Sequence, residues 1–168
     1  MSEDLNPIER AYRRRVAEGR SVRRMFSGNP NEQGLLFPAP ILEACYRDYF
    51  ERQDYQPDPK GLKVAREAIQ CYYHGQGVEF DPEAILLTSG TSESFLHLFS
   101  TLARAGENIL VPRPGYPLFE PIAQMLGIQL RHYSLREGKA WELSVEELEK
   151  SADSKTRAMV LVSPSNPT

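Results

Sequence analysis

The chain has 168 residues, of which 40% are hydrophobic and 26% charged, and its formal net charge is -3. That length supports one domain with a real core, or a small piece joined to part of a larger one. Mild acidity argues against general nucleic-acid binding, and no stretch is apolar enough to span a membrane.

The first residues, MSEDLNPIER, start acidic and lack an apolar segment, so they do not read as a secretory signal. Glu3, Asp4 and Glu9 argue equally against a mitochondrial presequence, and a cytoplasmic protein is expected. Residues 1–26 read as a helical arm. Its arginines (10, 13, 14, 15, 20, 23 and 24) face only Glu9 and Glu18, and form a solvated or partner-contacting helix face. A loop follows, S-G-N-P-N-E-Q-G (27–34). Proline then opens a helix over about 40–52, with Ile41, Leu42, Cys45, Tyr46 and Tyr49 on one face. The loop Y-Q-P-D-P-K-G (55–61) leads to a helix with Leu62, Ala65, Ile69 and Tyr72 at helical spacing. Cys45 and Cys71 have no metal-like spacing and read as reduced core or near-core thiols. His74, His97 and His132 are likewise scattered without ligand spacing.

From Asp81 onward strands and helices alternate. The strands are AILLT (84–88), NILVP (108–112), IQLRHY (128–133) and AMVLVS (158–163). Helical stretches lie near 92–104, 117–126 and 144–152, the last opening with Ser144 and Glu147 at capping-box spacing. Alternation of this kind predicts an α/β fold with a mostly parallel sheet and flanking helices, preceded by the helical arm. In such sheets every strand delivers its C-terminal loop to the same edge, where ligands bind.

Three of those loops are chemically unusual. T-S-G-T-S (88–92) sets Gly90 among hydroxyls at a helix start, where free N–H groups and the helix dipole favour a phosphate. The plainer reading is that Thr91 or Ser92 only caps the helix. R-P-G-Y-P (113–117) presents Tyr116 on a stiff loop, able to stack on a planar heterocycle or simply to pack; Pro117 suits the first turn of the next helix. P-S-N-P-T (164–168) offers Asn166, either an amide donor to a ring oxygen or an Asx turn before proline. Together the three fit a flat phosphorylated cofactor. There is no Walker loop and no G-x-G-x-x-G.

Over residues 25–168 the chain resembles the N-terminal part of class I/II aminotransferases, the fold-type I pyridoxal 5'-phosphate enzymes. The resemblance rests on S-G-N-P, Y-Q-P-D-P-K-G-L-K-V-A-R-E-A-I, L-T-S-G-T-S-E-S, V-P-R-P-G-Y-P-L-F-E, K-T-R-A-M-V-L-V and S-N-P-T, in that order. It implies that residues 1–54 form an arm and a small-domain or substrate-loop segment, and that 55–168 begin the cofactor-binding large domain. Gly90, Thr91 and Ser92 would hold the cofactor phosphate, Tyr116 would stack on the pyridine ring, and Asn166 would bond its phenolic oxygen. Gly28 would let backbone approach the substrate carboxylate. Tyr55 would reach the phosphate of a neighbouring subunit, which implies a homodimer with shared sites. Two departures stand out: Phe119 replaces a tyrosine of many relatives, and Glu93 adds a negative charge whose side chain is expected to point away from the phosphate.

The implied activity is transfer of an amino group between an amino acid and a 2-oxo acid. That chemistry needs a lysine bound to the cofactor, an acid on the pyridine nitrogen, and usually an arginine for the substrate. In the family these lie beyond the N-P-T turn, so the chain is expected to stop short of them and to be inactive alone. Lys60, Lys63, Lys139, Lys150 and Lys155 read as solvated cations, and no catalytic residue is assigned. A carbon–sulfur lyase or an amino-acid decarboxylase on the same fold is the nearest alternative. An aminotransferase-like ligand-sensing regulatory domain is another.

Overall fold

The computed structural model describes residues 6–23, 28–53, 55–138 and 141–166. Arg24, Ser27, Lys139, Pro167 and Thr168, all used above, lie outside the described residues. The chain divides into two compact units, Met1–Tyr55 and Gln56–Thr168.

In the first unit, α1 (Pro7–Ala17) begins at Asn6, whose side chain accepts from Glu9 N–H at 2.8 Å, with Pro7 in the position where a missing N–H costs nothing. Helix α2 (Ala39–Arg52) follows Pro38 and ends on Gln53, a left-handed residue (φ 47°). The expected apolar face forms, but Ile41, Leu42, Tyr46 and Tyr49 stay exposed. Cys45 is therefore exposed rather than a core thiol, and so is Cys71 in the second unit; both are free.

The second unit carries α3 (Lys63–His74), α4 (Thr91–Leu102), β1 (Asn108–Arg113), α5 (Phe119–Leu126), β2 (Gln129–Ser134), α6 (Val145–Ser151) and β3 (Thr156–Met159). The sheet order is β2-β1-β3 and both pairings are parallel. β1 is central, which is why its apolar run is buried from Asn108 to Pro112. Phe99 of α4, Ile109 and Val111 of β1, and Phe119, Ile122 and Ala123 of α5 make the core. Burying such side chains contributes about 1.5–3 kcal/mol each.

Several expectations are corrected. The segment AILLT is not a strand of this sheet. Pro82–Ala84 is a 3-10 turn capped by Asp81, and Ile85 is extended. The hydrogen-bonding edge beyond it meets a loop instead of a strand: Leu87 N–H donates to Lys60 C=O at 2.9 Å. β3 begins two residues before the predicted strand and ends at Met159, with Val160 N–H adding one bond to Leu110 C=O. Ser144 is the N-cap of α6 but makes no side-chain capping bond among the described residues; Glu146 and Glu147 supply the negative charge a helix start favours. Pro117 lies in a turn two residues ahead of α5.

The apolar positions at helical spacing fall on α3 and its N-cap, Leu62. The residue that the helix buries is Arg66, 2% exposed, while Leu62 and Tyr72 are exposed. Its guanidinium donates to Asp58 Oδ2 and Glu83 Oε1, each at 2.7 Å, and to Gly61 C=O and Pro82 C=O, each at 3.1 Å. Four acceptors from two loops surround one charge, which is the condition for burying it. Lys60, exposed to solvent as expected, also donates from Nζ to Glu83 C=O and its carboxylate.

Candidate functional site

The site is built from the C-terminal ends of the strands and the start of α4. Gly90 is the N-cap of α4, extended (φ 167°, ψ 171°) and without a side-chain cap. Glu93 N–H and Ser94 N–H both donate to Gly90 C=O, so the amides of Thr91 and Ser92 have no acceptor within the helix. Neither hydroxyl caps the helix, so the plainer reading of Thr91 and Ser92 does not hold. Glu93 turns its carboxylate back onto the loop: its Oε2 accepts from Ser89 N–H at 2.6 Å and from Ser89 Oγ at 2.7 Å. The Ser89 hydroxyl, then its N–H, hold the Glu93 carboxyl below the usual carboxylate range.

The second loop is sterically determined. A Cβ on Gly115 would lie 2.3 Å from Pro112 C=O, so no side chain fits there. The turn sends Tyr116 back over the core, edge-on to Phe119 (5.5 Å between centroids, 74°) and 6.1 Å from Phe95. Phe119, 1% exposed, is thus the floor beneath Tyr116. The Tyr116 hydroxyl sits 3.3 Å from Ser92 Oγ.

The third loop leaves the sheet at Val160, whose C=O accepts from the Tyr133 hydroxyl at 2.6 Å. Tyr133 is 1% exposed, and burial pushes its phenol up. Val162 and Asn166 then join Thr91, Phe95, Tyr116 and Phe119 in lining a cavity of about 190 Å³. Thr91, Tyr116 and Asn166, from three loops far apart in sequence, therefore share one cavity, and Ser92 joins through Tyr116.

Gly90 precedes Thr91 but does not itself line the cavity, and a Cβ there would meet nothing within 4 Å. Packing within the chain therefore does not demand glycine at this position. Gly28 and Tyr55 belong to the first unit. A Cβ on Gly28 would also meet nothing within 4 Å, and Tyr55 is 89% exposed. Size alone does not mark the site. A larger cavity of about 550 Å³ runs along α1, lined by Ile8, Tyr12, Arg15 and Val22 among others, and contains no residue of the three loops. Among the described residues no cluster of His, Cys, Asp and Glu could hold a metal.

Chemically, the cavity offers Thr91 at the helix start, with Ser92 next to it and facing the Tyr116 hydroxyl, together with aromatic rings and a side-chain amide. That set suits a planar ring bearing a phosphate. Sequence reasoning gave Gly115 and Tyr133 no role and noted Glu93 only as a negative charge. For Glu93 a signal existed in the spacing S-x-x-x-E, one residue longer than a capping box.

A profile for "Aminotransferase class I and II" matches residues 42–168. Human tyrosine aminotransferase is 34% identical over 142 residues, covering 83% of this chain and 31% of its own. An S-alkyl-thiohydroximate lyase from Arabidopsis thaliana is also 34% identical over 142 residues, covering 76% of this chain and 30% of its own. Among solved structures, an aminotransferase from Escherichia coli superposes with a TM-score of 0.80 at 30% identity, over 99% of this chain and 41% of that one. The chain spans about a third of the length of the curated relatives named here.

Proposed function

Because the chain belongs to the class I and II aminotransferase family, we propose that it forms the cofactor cradle of a pyridoxal 5'-phosphate enzyme. The reaction is transfer of an amino group between an amino acid and a 2-oxo acid. The observation that carries this reading is the shared cavity of Thr91, Tyr116 and Asn166. When bound, the cofactor supplies the electron sink that transamination requires.

The chain's own residues bind and orient. Amides and hydroxyls of Thr91 and Ser92, at the positive end of α4 beside Gly90, take the phosphate. Tyr116, stiffened by the tight Gly115 turn before it and Phe119 beneath it, stacks on the ring. Asn166 donates its amide to the phenolic oxygen. None of these groups moves a proton, and among the described residues no lysine lines the cavity. The proton-transfer chemistry therefore belongs to a group outside this set.

In this reading residues 1–54 are the arm and substrate-loop segment, with Gly28 at the substrate carboxylate, and 55–168 begin the large domain. Tyr55, 89% exposed, serves the phosphate of a partner subunit in a homodimer. A cytoplasmic setting agrees with the two free, exposed cysteines. No helix of the described residues is long and apolar enough to cross a membrane.

The test is calorimetric titration of the chain with 4'-deoxypyridoxine 5'-phosphate, which cannot react with lysine, against its unphosphorylated parent. The phosphorylated probe is expected to bind more than about tenfold tighter, as helix-start anion contacts predict. Equal affinities, or none, would sink the reading. A second reading is favoured by the lyase relative: carbon–sulfur cleavage on the same cradle. Product analysis of the whole protein separates the two, a 2-oxo acid with amino-group acceptance against release of a thiol.

A further inference from the structure

The loop into α4 is held in an unusual way. A helix start commonly spends a Ser or Thr side chain on its own first N–H groups. Here the N-cap is Gly90, which has no side chain to offer. The turn is tied from inside the helix instead. One oxygen of Glu93 takes both the N–H and the hydroxyl of Ser89, at 2.6 and 2.7 Å. A second tie, Thr88 Oγ1 to Ser94 Oγ at 2.8 Å, spans the same turn. The other Glu93 oxygen lies 3.6 Å from His97 Nε2, one turn along the helix. With the turn secured this way, Thr91 is left to line the cavity and Ser92 to face Tyr116.

We propose that Glu93 is a positioning residue for the phosphate seat: by holding Ser89 it fixes the Gly90 turn, so that the amides and hydroxyls of Thr91 and Ser92 stay available to the ligand. This rests on the cofactor reading above and deepens it. Plain electrostatics predicts the opposite sign, because a carboxylate in the first turn puts a negative charge beside an anion seat and should weaken binding. The two effects separate by substitution. Glutamine keeps an acceptor at the same reach and discards the charge, whereas alanine discards both. A turn no longer held must be ordered by the ligand, which lowers affinity.

The experiment measures the affinity of the chain for 4'-deoxypyridoxine 5'-phosphate, with the Ser89 amide resonance followed by NMR. Glu93→Ala is expected to bind about tenfold weaker, the effect of losing a charge-assisted tie. Glu93→Gln should stay within about threefold of the parent chain, since a neutral bond is roughly half as strong. The Ser89 amide should move most in the alanine variant. If both variants bind as tightly as the parent chain or more tightly, Glu93 is only a nearby charge and the proposal is overturned. Should Glu93→Ala not fold, Ser89→Ala removes the hydroxyl leg alone and should bind about two- to threefold weaker; unchanged affinity there overturns the proposal too. Failure of the parent chain to bind the probe is a different result, which removes the cofactor reading and this proposal with it.

Discussion

The two ends of β1 hold polar groups in opposite conditions. At its N-terminal end Asn108 is 2% exposed, donates to Asp153 Oδ1 at 2.9 Å and accepts from Thr156 Oγ1 at 2.7 Å. Asp153 in turn accepts from Lys155 N–H at 2.9 Å and pairs with Arg131. No buried side-chain polar atom lacks a partner among the described residues. At the C-terminal end the amides of Thr91 and Ser92 have no acceptor within the helix, and Asn166 stands exposed at the cavity. Saturated polar groups hold the sheet together, while unsaturated ones face solvent, where a ligand can take them. The difference assigns stability to one edge and recognition to the other.

The largest test of that division is Gly115→Ala. Its Cβ would meet backbone, so the turn must shift, at a cost of about 3 kcal/mol, the upper range for overpacking. Both readouts should suffer: a lower urea midpoint and loss of binding to the phosphorylated probe, because Tyr116 moves with the turn. Asn108→Ala should separate the readouts. It strands Thr156 and Asp153 and costs about 1–3 kcal/mol in urea unfolding, yet probe affinity should hold. If affinity falls as far as stability, the two edges are not independent.

Acid titration comes next. Asp153 lies at about 2, held down first by the Asn108 amide, then by Lys155 N–H, with Arg131 adding charge. Asp58 is lowered chiefly by Lys60 N–H, and Glu83 chiefly by Arg66. A carboxylate whose folded pKa is depressed stabilises the fold fully above its unfolded pKa, and the contribution is lost as pH falls through the folded value. Melting temperature should therefore be flat from pH 7 to about 5 and fall between about pH 4 and 2, the span from unfolded carboxylates to Asp153. Asp153→Asn should remove the lowest part of that fall, and a decline already complete above pH 5 would contradict the assignment. The smallest effect is expected from Tyr116→Ala, about 1 kcal/mol of probe affinity if the ring stacks, measured by the same calorimetry. No change would make Tyr116 a packing residue only.

How much of this was legible before folding depends on what each feature requires. The parallel sheet was, because β1 is a short apolar run set between helical periods, and periodicity needs no distant partner. Loops 113–117 and 164–168 were visible because strand alternation sends them to one edge, whereas 88–92 stood out by its glycine and hydroxyls at a helix start. AILLT misled because an extended apolar run says nothing about which edge it meets, and Leu87 meets the Lys60 loop. Arg66 was invisible for a related reason. A charge on a helix reads as solvated until its acceptors, Asp58, Gly61, Pro82 and Glu83, are brought round it by two separate turns. Gly115 and Tyr133 act through single close approaches to backbone carbonyls, which no pattern in one sequence encodes.

The strand order β2-β1-β3 also bears on how the protein is made. β1 is the central strand and emerges from the ribosome before both of its neighbours. Its partner Thr156 follows Asn108 by 48 residues, which at ~5–20 residues per second means roughly 2–10 s of translation. Collapse of a short chain takes microseconds, so the most apolar strand spends that interval packed only against α4 and later α5 and β2, with one edge open. Because Val162 and Asn166 come later still, the cavity forms only after the three strands, and nascent chains stalled before residue 160 should bind chaperones but no phosphorylated ring.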